Sequence, residues 1–186
     1  MNPLVVGALF VLGFLLLFVI VQYNKLVSLR LRVRESWANV DTELKRRHDL
    51  VPNLVETVKG YAQHERSLFD NVASARASAV QERRDTHQRL ESERALAAGL
   101  GRLLAVAEAY PNLKASAHFM QLQRQLAETE DRIQAARRFY NGNVRDYNNQ
   151  VQQFPSSVVA NGFRFRAHEY FELPTAAERA TPPVHL

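Results

Sequence analysis

Residues 4–21, LVVGALFVLGFLLLFVIV, are apolar throughout and carry no charge. As a helix rising about 1.5 Å per residue, these eighteen residues are roughly 27 Å long, close to the hydrocarbon thickness of a bilayer. A cleaved signal sequence fits badly, because no Lys or Arg precedes the run and no small-x-small pattern follows it in VIVQYNKL. The run predicts a retained anchor, so the rest of the chain must fold beside a membrane. Lys25, Arg30, Arg32 and Arg34 follow it, with no acid before Glu35. By the positive-inside rule the short N-terminus lies outside and the C-terminal part lies in the cytoplasm of a single-pass inner-membrane protein. Long domains can cross regardless of charge, which leaves the reverse orientation open. The same four cations are candidate lipid-headgroup contacts, each contributing about 1 kcal/mol near anionic lipid.

Membrane attraction accounts for much of the net charge of +5. No zinc-finger spacing, RNP-type aromatic signature or long basic run is present, so nucleic acid is not an expected partner. The absence of cysteine excludes disulfides, thiolate nucleophiles and cysteine-ligated metals.

Past the anchor, SLRLRVRES alternates apolar and basic residues but has no partner strand nearby, and is read as the anchor helix running on. From Trp37 a helical stripe begins: Val40, Leu44, His48, Val51, Leu54, Val58, Tyr61, Leu68 and Val72 follow at spacings dominated by three and four. Pro52 lies inside it, where it removes a backbone donor and crowds the His48 carbonyl, so a kink within one long arm is expected. Residues 81–94, QERRDTHQRLESER, form either a solvated helix face or a loop. ALAAGLGRLLAVAEAY then reads as a second helix, and Tyr110-Pro111-Asn112 punctuates the chain before a restart.

The third helix carries the clearest period. Phe119, Leu122, Leu126, Thr129, Ile133, Ala136 and Tyr140 alternate threes and fours; Val144, Tyr147, Val151 and Phe154 resume after one irregular step. That step is the mark of a stutter in a coiled-coil seam. Asn141-Gly142 at the irregularity is a strong turn dipeptide, yet the period continues beyond it, which favours one continuous helix. Tyr140 and Tyr147 then lie a heptad apart on the buried face. Asn141 and Asn148 beside them would bond tyrosine hydroxyls of a neighbouring helix, and Gly142 would admit another backbone. Pro155 stops the helix. Gly162 is the expected left-handed cap, followed by the aromatic FRFRAHEYFEL segment and, from Pro174, a mobile tail.

The order of YNKLVSLR, SWANVDTELKRRHDLVPNLVETVKGYAQHE, AVAEAYPNLKAS, QLAETEDRIQAARRFYNGNVRDYN and FPSSVVA resembles the LemA family over roughly residues 20–172. The resemblance implies a bacterial, membrane-anchored, all-helical protein whose N-terminal anchor leads into an antiparallel bundle of long helices. It further implies a place in the cell envelope, at times beside membrane metalloproteases, and a link to membrane shaping through relatives among magnetosome membrane proteins. It supplies no catalytic residues. The run at 81–94 and the tail after Glu172 match nothing in it.

The residues themselves show little chemistry. His48, His64, His87, His118, His168 and His185 form no H-E-x-x-H, and no phosphate-binding glycine loop or nucleophile elbow occurs. No catalytic residue, metal site or cofactor is assigned, and the chain is not expected to be an enzyme. KRRHDLVPNL, 45–54, is the most provocative cluster. Arg47 and His48 on an apolar stripe form either an anion or pH site or, more simply, a buried pair with acids of another helix. AETED, 127–131, offers surface pairs such as Glu128–Arg132.

The expected fold is all-α, with an N-terminal transmembrane helix, an antiparallel bundle of long helices and a short extended C-terminal segment. Its divisions are an anchor at 1–24, the bundle at 25–155, an aromatic segment packing on bundle or neighbour at 156–173, and a tail at 174–186. Trp37, Arg47, His48, Pro52, Tyr140, Asn141, Tyr147 and Asn148 are the candidate packing or oligomer seam. The functional expectation is a scaffold that self-assembles at the inner membrane, contacting lipid and other copies of itself. The alternative is an adaptor, monomeric or in a small oligomer, for a membrane protease or another envelope protein.

Overall fold

A computed structural model describes residues 3–81 and 86–171. Among these residues there are helices and turns but no strands. The order is α1 (Pro3–Lys59), α2 (Arg66–Gln81), α3 (Thr86–Ala107), α4 (Pro111–Lys114), α5 (Ala117–Gln152) and α6 (Ser156–Gly162). The anchor is the first part of α1, long and apolar enough to cross a membrane, with none of its apolar window buried against protein. SLRLRVRES continues α1 as helix. The tail from residue 174 lies outside the described residues.

Two compact units divide the chain: Met1–Asn39 with Arg138–Tyr170, and Val40–Arg137 with Phe171–Leu186. The second owns the larger core. Val51, Leu54 and Val58 of α1 meet Phe69 and Val72 of α2, Leu96, Leu100 and Leu103 of α3, Leu113 of α4, and Phe119, Leu122 and Leu126 of α5. Each such side chain contributes about 1.5–3 kcal/mol on leaving water. Gly99 fits this packing, since a Cβ there would stand 3.1 Å from Val72 Cγ2. Local signals set the ends. Tyr110 is extended before Pro111, which occupies the first turn of α4. Ser116 Oγ accepts from the Phe119 N–H at the start of α5.

Pro52 lies within α1, which stays one helix around it. The arm expected to run on to Val72 instead ends at Lys59. The Tyr61 and Ala62 N–H groups both turn back to the Val58 carbonyl, and Tyr61 is exposed. Helical spacing survives there by accident of the turn's length. The polar run divides: residues 86–94 open α3, with Arg89, Ser92 and Glu93 buried.

In the first unit α1 and α5 run antiparallel. Trp37 meets Tyr140 edge-on at 5.2 Å between ring centres, while Gln150 Nε2 donates to Gln22 Oε1 at 2.7 Å. The α5 helix passes through Asn141-Gly142 unbroken, with Tyr140, Val144, Tyr147 and Val151 buried. Phe154 departs from the expected seam. It lies two residues past the helix end, in the turn before α6, and is 83% exposed. Gly142 admits no neighbouring backbone, as a Cβ there would meet nothing within 4 Å. The left-handed residue is Arg164, at φ 59°, rather than Gly162. The segment after Pro155 begins as α6, and the chain is extended from residue 165 through the last described residue, 171.

Candidate functional site

Arg47 is the largest charged group in the second unit's interior, 1% exposed. Its Nη1 donates to Glu130 Oε1 at 3.0 Å, and its Nη2 donates to Glu93 Oε2. The other Glu93 oxygen stands 2.9 Å from His48 Nε2. An ionised carboxylate only accepts, so this histidine nitrogen carries the proton. Three helices are thereby joined through one fully buried guanidinium: Arg47 of α1 holds Glu93 of α3 and Glu130 of α5, and His48 of α1 takes the second Glu93 oxygen. Burial opposes charge on both central groups, but the pairing outweighs it. Glu130 and Glu93 hold the Arg47 guanidinium above its ordinary value, and the bonds and charges of His48 and Arg47 hold the Glu93 carboxyl below its own.

A second layer supports this staple. Pro52 has no N–H for the carbonyl four residues before it. That carbonyl belongs to His48, and Arg76 Nε of α2 donates to it at 2.7 Å. Arg89 of α3 pairs with Asp41 of α1. His48, Arg76, Arg89, Asp41, Lys45 and Asp49 line a cavity of about 120 Å³, well below the roughly 300–1,000 Å³ of small-molecule sites. A shallower groove of about 260 Å³ runs along Arg46, Leu50, Gln125, Glu128, Thr129 and Arg132. Among the described residues no three His, Asp or Glu are placed to hold a metal. Chemically, the cluster locks helix register: its charges are spent on one another.

The first unit gathers the other seam residues around the C-terminal segment. Asn148 is buried and bonds His168 on both sides, Nδ2 donating to its carbonyl at 2.9 Å and Oδ1 accepting from its N–H at 2.8 Å. Tyr140 Oη donates to the Glu169 carbonyl at 3.1 Å. Tyr147 is buried against the His168 ring, 5.1 Å between centres. Tyr140, Tyr147 and Asn148 thus meet this chain's own extended segment, not tyrosines of a neighbouring helix. Asn141 is half-buried and Pro52 exposed. Burial, with Glu169 adding to it, raises the Tyr140 hydroxyl's pKa. Burial also raises that of Tyr147, against the pull of Arg30, and together with Arg30 lowers that of His168. Of the four cations after the anchor, Arg30 lies 5.1 Å over the Phe165 ring, while Lys25, Arg32 and Arg34 are exposed.

Residues 36–186, most of the chain, match the sequence model of the LemA family. The chain belongs to the LemA family. The match takes in the 81–94 run and the tail, and begins after YNKLVSLR. Two relatives in Paramagnetospirillum magneticum (strain ATCC 700264 / AMB-1), the magnetosome proteins MamQ 1 and MamQ 2, are each 24% identical over 94% of this chain and 73% of their own length. Magnetosome protein MamQ of Magnetospirillum gryphiswaldense (strain DSM 6361 / JCM 21280 / NBRC 15271 / MSR-1) is 23% identical over 86% of this chain and 68% of its own. With its unburied apolar helix, this LemA chain is membrane-associated.

Sequence reasoning found Arg47, His48 and the tyrosine seam but missed Glu93, Glu130 and Arg76 as their partners. The available signal was Arg47-His48 on an apolar stripe, which demands an acid on a facing helix.

Proposed function

We propose that this LemA protein is a membrane-anchored helical scaffold that assembles with copies of itself at the bacterial inner membrane, its bundle on the cytoplasmic side. The observation that carries the reading is apolar surface left over after the bundle is packed. In the first unit Phe139 of α5 is 60% exposed, one residue before the buried Tyr140, and Leu31 of α1 is 50% exposed. Both lie outside the apolar span, and covering what each still exposes would contribute about 1–2 kcal/mol. The buried charges favour a rigid building block, since they are spent on fixing register. Likeness to magnetosome proteins supports a role in organising membrane.

The mass of the full-length protein in detergent, by native mass spectrometry or light scattering, tests the reading. A discrete complex of many subunits is expected, and Phe139→Glu should reduce its size without lowering helix content. A monomer or dimer from the unaltered chain would overturn the scaffold and leave the adaptor, whose partner would then be sought among envelope proteins.

A further inference from the structure

Among the described residues outside the anchor, the turn joining α5 to α6 and α6 itself carry the two most exposed large apolar side chains. Phe154 is 83% and Val158 63% exposed, and Phe163 at the end of α6 is exposed as well. These residues have a reason to be elsewhere: Ser156, Val159 and Ala160 of the same short segment are buried, so the polypeptide had a core available and left Phe154 and Val158 out of it.

Their position follows from contacts within the first unit. Gln22, bonded to Gln150 at 2.7 Å, directly follows the apolar run that ends at Val21. Because α5 is antiparallel to α1, each residue after Gln150 steps toward the bilayer, by about 1.5 Å while the helix lasts. Tyr23, two residues past the run, meets the Phe163 ring at a tilt, 4.9 Å between centres, and the Phe165 ring edge-on at 5.7 Å. The turn therefore sits beside the anchor at the edge of the hydrocarbon. Exposed cations flank the Tyr23–Phe163 contact in the chain: Lys25 two residues after Tyr23, and Arg164 and Arg166 on either side of Phe165. Apolar side chains rimmed by cations at this depth match the zone between acyl chains and anionic headgroups.

We propose that the turn around Phe154 and Val158 is a lipid-binding wedge, inserted into the bilayer interface next to the chain's own anchor. It makes a second membrane contact and fixes the rotation of the first unit about the anchor. The inference does not depend on self-assembly.

The absence of cysteine makes a direct test possible. Single nitroxide labels are placed at Phe154→Cys and Val158→Cys in the full-length protein, in vesicles of phosphatidylethanolamine and phosphatidylglycerol. Val21→Cys serves as the reference inside the membrane and Tyr61→Cys as the reference in water. All four positions are exposed, so the fold should tolerate the label. The expected result is a ratio of oxygen to nickel-chelate collisions at 154 and 158 close to that at 21 and severalfold above that at 61. A ratio equal to that at 61 would overturn the wedge. So would protection from both reagents, which would mark a protein neighbour instead of lipid.

Discussion

Arg76 Nε donates at 2.7 Å to the main-chain carbonyl of His48, the carbonyl that Pro52 leaves without a helical partner. Arg76→Ala is expected to destabilise the bundle by about 1–3 kcal/mol, the usual range for a buried acceptor left unmet. In a Pro52→Ala background, alanine restores the missing N–H, and the same change should cost clearly less. Thermal unfolding of the four proteins measures the difference. Equal costs in both backgrounds would mean that Arg76 acts through packing alone.

Glu93 supports two partners at once, so its loss leaves Arg47 and His48 short of an acceptor. Glu93→Ala should cost about 3–5 kcal/mol, as for a broken buried ion pair. Replacing Arg47 and Glu93 together with Met and Leu should cost far less than the two single changes summed, which a double-mutant cycle reads directly.

The same carboxyl predicts an acid limb of stability. Its pKa in the fold lies below the ordinary 4.5, so the native state gives up this proton more readily than the unfolded chain. The stabilisation is therefore complete above about pH 4.5 and drains away as pH falls through the lower native value. Unfolding followed between those limits should show this loss, and Glu93→Gln should flatten it.

Gly142 and Gly99, both inside helices, should respond differently. At Gly142 a Cβ meets nothing and φ is not positive, so Gly142→Ala should add about 0.5–1 kcal/mol of stability. At Gly99 the added methyl stands 3.1 Å from Val72 Cγ2, and the Val72 side chain must give by a few tenths of an ångström to admit it. Gly99→Ala should give no gain. A rise in melting temperature for Gly99→Ala matching that of Gly142→Ala would show that the α2–α3 contact yields freely.

Asn148 clamps His168 through two hydrogen bonds, and a net contribution of about 0.5–1.5 kcal/mol each is ordinary. Asn148→Ala should speed amide exchange at His168 and expose the 163–171 segment to protease while α5 stays helical. Asn148→Asp keeps the acceptor but sets a carboxylate against a carbonyl, so it should do nearly as much damage.

What the sequence revealed and concealed divides by range. The seam of α5 was legible because Phe119 to Val151 repeats at threes and fours with one irregular step, and such spacing survives without knowledge of partners. Its end was less so: Phe154 fits the spacing, and only the departure of the chain after Gln152 exposes it. Tyr61 erred in the same way. Glu93 was hidden because an acid inside QERRDTHQRLESER looks solvated until Arg47, far off in the chain, is brought against it. Asn148 was marked as a seam residue, but periodicity names a face and not what covers it. Its partner is an extended backbone, which has no helical signature to match.

One consequence of α1 concerns the lipid more than the protein. The helix runs unbroken from the apolar span to Trp37, where it rests on Tyr140 in the same unit. A span that meets a thinner bilayer tilts to hide its excess length. With no joint between span and bundle half, that tilt reappears above the membrane as a lean of the same angle. Bilayer thickness is thereby written into the attitude of the first unit, and so of its exposed Phe139 and Leu31.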